Sequence, residues 1–209
     1  MWITEPFRTV SFYFLVRRLR RFGEYSSEHW RRLRKREGIF HSIIVWDFEC
    51  VREARGSEGM KELRDAMRFA RDLHYMNILF AANRRNDSMI SKWAESAHLT
   101  KYLTEIIVRK HKRLKDAYGI VKKYNADLAA SFLISSRLAP DIGFGNFLGF
   151  HTVWLQGGRE PDQPFNFETR PEIILQTAND FHDLLERFAR TRVAAITTQK
   201  PRLPNDSQG

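Results

Sequence analysis

Two spacings of apolar residues alternate along this chain. Short runs of apolar or small residues rich in β-branched and aromatic types, at 42–46, 77–82, 103–108, 129–135 and 151–155, predict buried strands. Between them the apolar positions recur every three or four residues. Met60, Leu63, Met67, Ala70 and Leu73 predict a helix down to about His74, and Met89, Ile90, Trp93 and Ala94 predict a second, capped by Asn86 or Asp87. Leu114, Ala117, Tyr118 and Val121 mark one face of a basic helix over about 111–124, and Phe181, Leu184, Leu185 and Phe188 mark a helix starting near 178–180. Strands alternating with helices in this way imply an α/β domain, a parallel sheet with helices on both faces.

The stretches between these elements read as turns. Residues 52–59 are charged, 137–141 follow the fourth strand, and 143–149 carry glycines and lead into the strand at 151–155. Residues 157–172, rich in Gly, Pro and Asp, read as a loop. From Thr191 the periodicity is lost, and residues 191–209 are expected to form a disordered tail. The chain therefore divides into a basic, aromatic-rich arm over 1–38, an α/β domain over 39–190 and the tail.

Charge sharpens that division. The net charge is +10 over 209 residues. Residues 1–38 hold ten Lys or Arg against four acids, or +6, so the remaining 171 residues carry only +4. In the arm, arginines are interleaved with Trp2, Phe7, Phe12, Tyr13, Phe14, Phe22, Tyr25 and Trp30. Arginine contacts phosphate and stacks on flat rings, so this mixture suits an RNA or ribonucleoprotein surface. It is also compatible with a mitochondrial presequence, although Glu5, Glu24 and Glu28 are untypical of one. A solvated arm packed on its own domain is the third reading.

Other features narrow the chemistry by exclusion. One cysteine, Cys50, allows no internal disulfide and fits a reducing, intracellular compartment. The uncharged run from Thr9 to Val16 is too short to span a bilayer. The histidines show no metal-ligand spacing, and Gly143, Gly145 and Gly149 have the wrong spacing for a dinucleotide loop.

The chemistry gathers at strand ends. The first strand runs directly into Asp47-Phe48-Glu49, and acids just past a buried strand's carboxyl end sit where open α/β sheets bind ligands. With Asn83 after the second strand, Lys110 and Lys112 after the third, and Ser135-Ser136 with Asp141 after the fourth, the ordered set over about 41–190 resembles the haloacid dehalogenase (HAD) superfamily, mostly Mg2+-dependent phosphatases. The resemblance implies a Rossmann-like three-layer sandwich with a mainly parallel sheet. It also implies a capless domain, since about 27 residues separate the second and third motifs, and an open site for bulky or macromolecular phosphorylated substrates.

In this resemblance Asp47 would be the nucleophile and a Mg2+ ligand, and Glu49 the acid/base in place of the family's Asp. Lys110 or Lys112 would neutralise phosphoryl charge; the sequence does not choose. Asp141 would be the second metal ligand. Three departures stand out: Glu49 is one methylene longer than Asp, Ala82 lacks the hydroxyl of the usual Thr or Ser, and Ser135-Ser136 replaces Gly-Asp, removing a carboxylate. Mg2+ wants carboxylate oxygens, so Asp47 and Asp141 would bind it weakly. Two readings follow. One is a pseudoenzyme, a degenerate HAD-like domain that acts as a structural or binding component of a larger assembly such as a ribonucleoprotein. The other is a working Mg2+-dependent phosphatase. Asp87 or Glu105 are the acids considered as substitutes for the lost carboxylate.

Overall fold

The structure, a computed structural model, describes residues 38–54, 56–82, 87–158, 160–161, 165–166 and 168–198. Contacts divide the chain into two units, Met1–Ile39 and Phe40–Gly209. Residues 1–37, and with them the RNA-binding and presequence readings of the arm, lie outside the described residues, as do residues 199–209.

The second unit is built on six strands: β1 (Ile43–Asp47), β2 (Met76–Ala82), β3 (Glu105–Arg109), β4 (Phe132–Ser135), β5 (His151–Leu155) and β6 (Ile173–Leu175). Their order is β3-β2-β1-β4-β5-β6 and each neighbouring pair is parallel. Parallel neighbours need crossovers, which the helices supply. These are α1 (Phe48–Arg52), α2 (Gly56–Asp72), α3 (Asp87–Ser96), α4 (Leu114–Lys123), α5 (Gly143–Leu148) and α6 (Ala178–Thr198). The expected α/β, Rossmann-like layering is what forms.

Strand periodicity sorts the core into two layers. Ile44 and Trp46 of β1, Leu79 and Ala81 of β2, and Phe132 and Ile134 of β4 pack with Leu63 and Met67 of α2, Ile90 of α3, and Phe181 and Leu185 of α6. On the opposite face α5 crosses β4 and β5 at Gly145. A Cβ there would stand 2.5 Å from Thr152 Cγ2 and 3.3 Å from Leu133 Cβ, so only glycine allows the approach. Gly149, at φ +89°, ends α5 in the left-handed region. One buried polar group ties the layers together: Trp46 Nε1 donates to Asn77 Oδ1 at 3.0 Å, and Asn77 Nδ2 donates to the carbonyls of Met67 (2.8 Å) and Tyr102 (3.1 Å).

Several boundaries differ from the sequence reading. α2 starts at Gly56, so the charged turn region is partly its first turn. β4 starts at Phe132, preceded by a 3-10 turn over Leu128–Ala130. The turn at 137–141 is a kinked helical turn, Leu138–Ile142, running into α5. Helix α6 continues past Thr191 to Thr198, so any tail begins later than the loss of periodicity implied. No helix of the described residues is long and apolar enough to cross a membrane.

Candidate active site at the end of strand β1

Asp47 is the last residue of β1 and also the N-cap of α1. Its backbone is extended, and its carboxylate accepts the N–H groups of Glu49 and Cys50, each at 3.3 Å. A side-chain acceptor for these helix N–H groups is worth about 1 kcal/mol and fixes the carboxylate at the strand end. Only 3% of Asp47 is exposed.

Three further side chains converge on it. Lys112 comes from the segment between β3 and α4. Arg113 N donates to Asp116 Oδ2 at 3.1 Å, which starts α4 at Leu114 rather than near His111 and leaves Lys112 in the preceding segment. Lys112 Nζ bonds Asp47 Oδ1 and, at 3.1 Å, Asp141 Oδ1; it also lies 5.4 Å from the centre of the Phe80 ring. Asp141 comes from the kinked turn after β4 and is buried. Ser135, at the end of β4 and fully buried, has its hydroxyl 3.1 Å from Asp47 Oδ2 and 3.4 Å from Asp141 Oδ2. Ser135 Oγ also accepts Arg137 N–H at 3.0 Å.

The electrostatics follow from burial. Burial opposes the charge on Lys112, but Asp47 and Asp141 outweigh it and hold the ammonium above its ordinary pKa. Burial, followed by the charge of Asp47, pushes Asp141 up to about 6 against the pull of Lys112 and Ser135. Lys112 is thus the cation of a buried acid–base cluster, and of the two lysines it is the one that reaches both carboxylates. Lys110 is exposed.

The other expected residues fall outside this cluster. Glu49 lies in α1 with its carboxylate bonded to Arg52 Nη2 at 2.5 Å. Ala82 ends β2 without a hydroxyl. Glu105 does not replace the lost acid: it opens β3, at the opposite end of that strand, and pairs with Lys123 and Tyr124. The side chain of Asp87 lies outside the described residues. Two participants have no signal in the sequence: the Ser135 hydroxyl, which joins both carboxylates, and Glu53, whose Oε2 accepts from Ser136 Oγ at 2.6 Å.

For a divalent metal, Asp47 and Asp141 offer hard oxygen donors, right in kind for Mg2+. Each carboxylate already meets Lys112 on one oxygen and Ser135 on the other. Among the described residues no group of three or more His, Cys, Asp or Glu side chains is placed to hold a metal ion. The donors fit in kind and fall short in number.

The order and parallel pairing of the strands give the chain a HAD-like fold, which solved structures share. The chain is similar to an uncharacterized protein from Listeria monocytogenes serotype 4b, at 13% identity over 71% of this chain and 99% of that one, with a TM-score of 0.58. It is similar to a haloacid dehalogenase-like family hydrolase from Xanthomonas campestris, at 9% identity over 75% and 100%, TM-score 0.54. It is also similar to 3-deoxy-D-manno-octulosonate 8-phosphate phosphatase from Moraxella catarrhalis, solved with magnesium ion, phosphate ion and KDO, at 15% identity over 77% and 94%, TM-score 0.50. At such identities the likeness is one of fold. No protein-family model matches the chain, and no curated protein matches it in sequence.

Proposed function

We propose that this is a HAD-like domain with an impaired catalytic site, a pseudoenzyme that serves as a structural or binding component of a larger assembly. The observation that carries the reading is the shortfall of donors around Asp47: each of Asp47 and Asp141 already meets Lys112 and Ser135, and Ser136, in the place of the expected acid, gives its hydroxyl to Glu53. Two carboxylates and one ammonium leave the cluster at −1, and a divalent ion would turn it to +1. Ser136 stands where a carboxylate would cancel this excess, and Ala82 where a hydroxyl would hold a phosphoryl oxygen. Mg2+ would therefore bind weakly at Asp47 and Asp141. The cluster instead joins the ends of β1 and β4 to the segments carrying Lys112 and Asp141, a structural role.

The partner class comes from the arm, whose +6 charge and interleaved aromatics suit RNA or a ribonucleoprotein. The test has two parts. Mg2+-dependent phosphate release from a broad panel of phosphorylated compounds should not exceed that of Asp47→Asn. Removing residues 1–38 should weaken RNA association and flatten its salt dependence; unchanged binding would end the arm reading.

One observation favours a second reading, the phosphatase. Asp47 is still held rigidly at the strand end with a cation against it. There Asp47 would attack phosphorus, Glu49 would protonate the leaving oxygen, and water activated by Glu49 would hydrolyse the aspartyl-phosphate. Mg2+, when bound, would supply neutralisation of the phosphoryl charge. Turnover that disappears in Asp47→Asn and on chelation would establish this reading and remove the first.

A further inference from the structure

Strand β3 ends the sheet, and among the described residues no strand pairs with its outer edge. A slot of about 410 Å3 runs along that edge between α3 and α4, lined by the strand itself with Ser88 and Ser91 on one side and Asp116, Gly119 and Lys123 on the other. A β-carbon on Gly119 would meet nothing within 4 Å. Bare edges recruit further strands unless they are blocked.

The sequence of this edge is self-complementary. Glu105 and Arg109 lie two residues either side of Ile107. In an antiparallel pairing of two copies centred on Ile107, Glu105 of each stands opposite Arg109 of the other, with Ile106 opposite Val108. The twofold axis of that pairing keeps like faces together, so α4 of one copy runs antiparallel to α4 of the other. Asp116 and Lys123 are placed symmetrically about Gly119 and Ile120, so they too come together as opposite charges, and the missing side chain at Gly119 leaves room at the centre. Within one chain Lys123 Nζ bonds Glu105 at 2.6 Å and Arg109 Nε lies 3.8 Å from Asp116 Oδ1. Each end of the paired interface then alternates two acids with two bases. We infer that a second copy of this chain occupies the slot, giving a twofold dimer with one continuous twelve-stranded sheet, an isologous contact of the commonest symmetry.

Charge reversal tests it without naming any other partner. The full-length chain should sediment as a dimer. Arg109→Glu and Glu105→Arg each place like charges opposite one another at both ends and should weaken self-association about tenfold or more. An equimolar mixture of the two should form a one-to-one heterodimer, because each reversed charge then meets its complement. Gly119→Tyr, which leaves the strand charges intact, should also give a folded monomer. A wild-type monomer would overturn the proposal, whether an extended segment of another protein then takes the edge or not. So would a dimer that survives both Arg109→Glu and Gly119→Tyr. So would folded single variants that fail to associate when mixed.

Discussion

Ser136 donates its hydroxyl to Glu53 Oε2 at 2.6 Å, so a carboxylate from the end of α1 stands beside the residue that takes the place of the expected acid. Restoring that acid should expose the cost. Ser136→Asp puts two carboxylates in contact and should destabilise the metal-free protein by about 1–3 kcal/mol. Mg2+ should return much of this in the variant, since a ligand that binds only the folded state at 100 times its Kd adds about 2.7 kcal/mol. Thermal melts with and without Mg2+ check it: the variant's Tm should rise with Mg2+ while the wild type's barely moves. Equal shifts would mean that the wild-type site binds the ion well, contrary to the impaired reading.

Lys112 is the cation that makes two buried carboxylates tolerable. Replacing it with Met should cost about 3–5 kcal/mol at neutral pH, the range for breaking a buried pair and stranding its partner. Adding Asp141→Asn to Lys112→Met should recover part of that loss, because one stranded charge is removed. Urea denaturation of the three proteins measures both effects; a single-variant loss under about 1 kcal/mol would show that the cluster contributes little to stability.

How much of this was legible in the chain depends on length and burial. The runs that became β1 and β2 are buried on both faces and so read as continuous apolar stretches. The apolar stripe of α2 spans four turns, long enough for its period to show. What escaped was short. Helix α1 has five residues, too few for a period, and owes its start to one cap from Asp47. Helix α5 contains Gly143 and Gly145, poor helix formers that packing against Thr152 and Leu133 overrides. Strand β6 has three partly exposed residues.

The site was legible as a set of strand ends rather than as a geometry. Asp47 follows directly from a buried strand meeting an acid, and Asp141 from its place after β4. Lys110 and Lys112 are equivalent in sequence, because the choice depends on where α4 begins, which the Arg113–Asp116 hydrogen bond sets. The contact between Ser136 and Glu53 spans 83 positions, and no local pattern encodes it.

Asp141 also gives a pH dependence with a definite sign. Its pKa rises on folding from 3.8 to about 6, mainly through burial and then through Asp47. The folded state therefore holds this proton more tightly. The resulting stability is fully present below 3.8 and is lost as pH rises through about 6. In metal-free buffer, the stability difference between wild type and Asp141→Asn should shift against the wild type across that interval, by on the order of 2–3 kcal/mol. Denaturation curves at a series of pH values measure it. A difference that stays flat, or that moves in favour of the wild type, would show that Asp141 does not hold a proton more tightly in the folded state.

The approach of α5 to the sheet offers a test confined to one methyl group. Gly145→Ala places a Cβ 2.5 Å from Thr152 Cγ2, closer than carbon atoms tolerate, and overpacking of this kind costs about 1–3 kcal/mol. Thr152→Ser deletes that methyl and keeps the hydroxyl, which donates to Asn146 Oδ1 at 2.6 Å and accepts Glu172 N–H at 3.0 Å. Alone it should cost about 1 kcal/mol for the small gap it leaves. Together the two changes exchange one methyl for another across the same contact, so the double variant should be more stable than Gly145→Ala alone, a departure from additivity of about 1 kcal/mol or more. Equilibrium unfolding of the four proteins completes the cycle. Strictly additive losses would mean that α5 shifts away from the sheet instead of meeting Thr152, and the close packing at Gly145 would then not be what holds the two together.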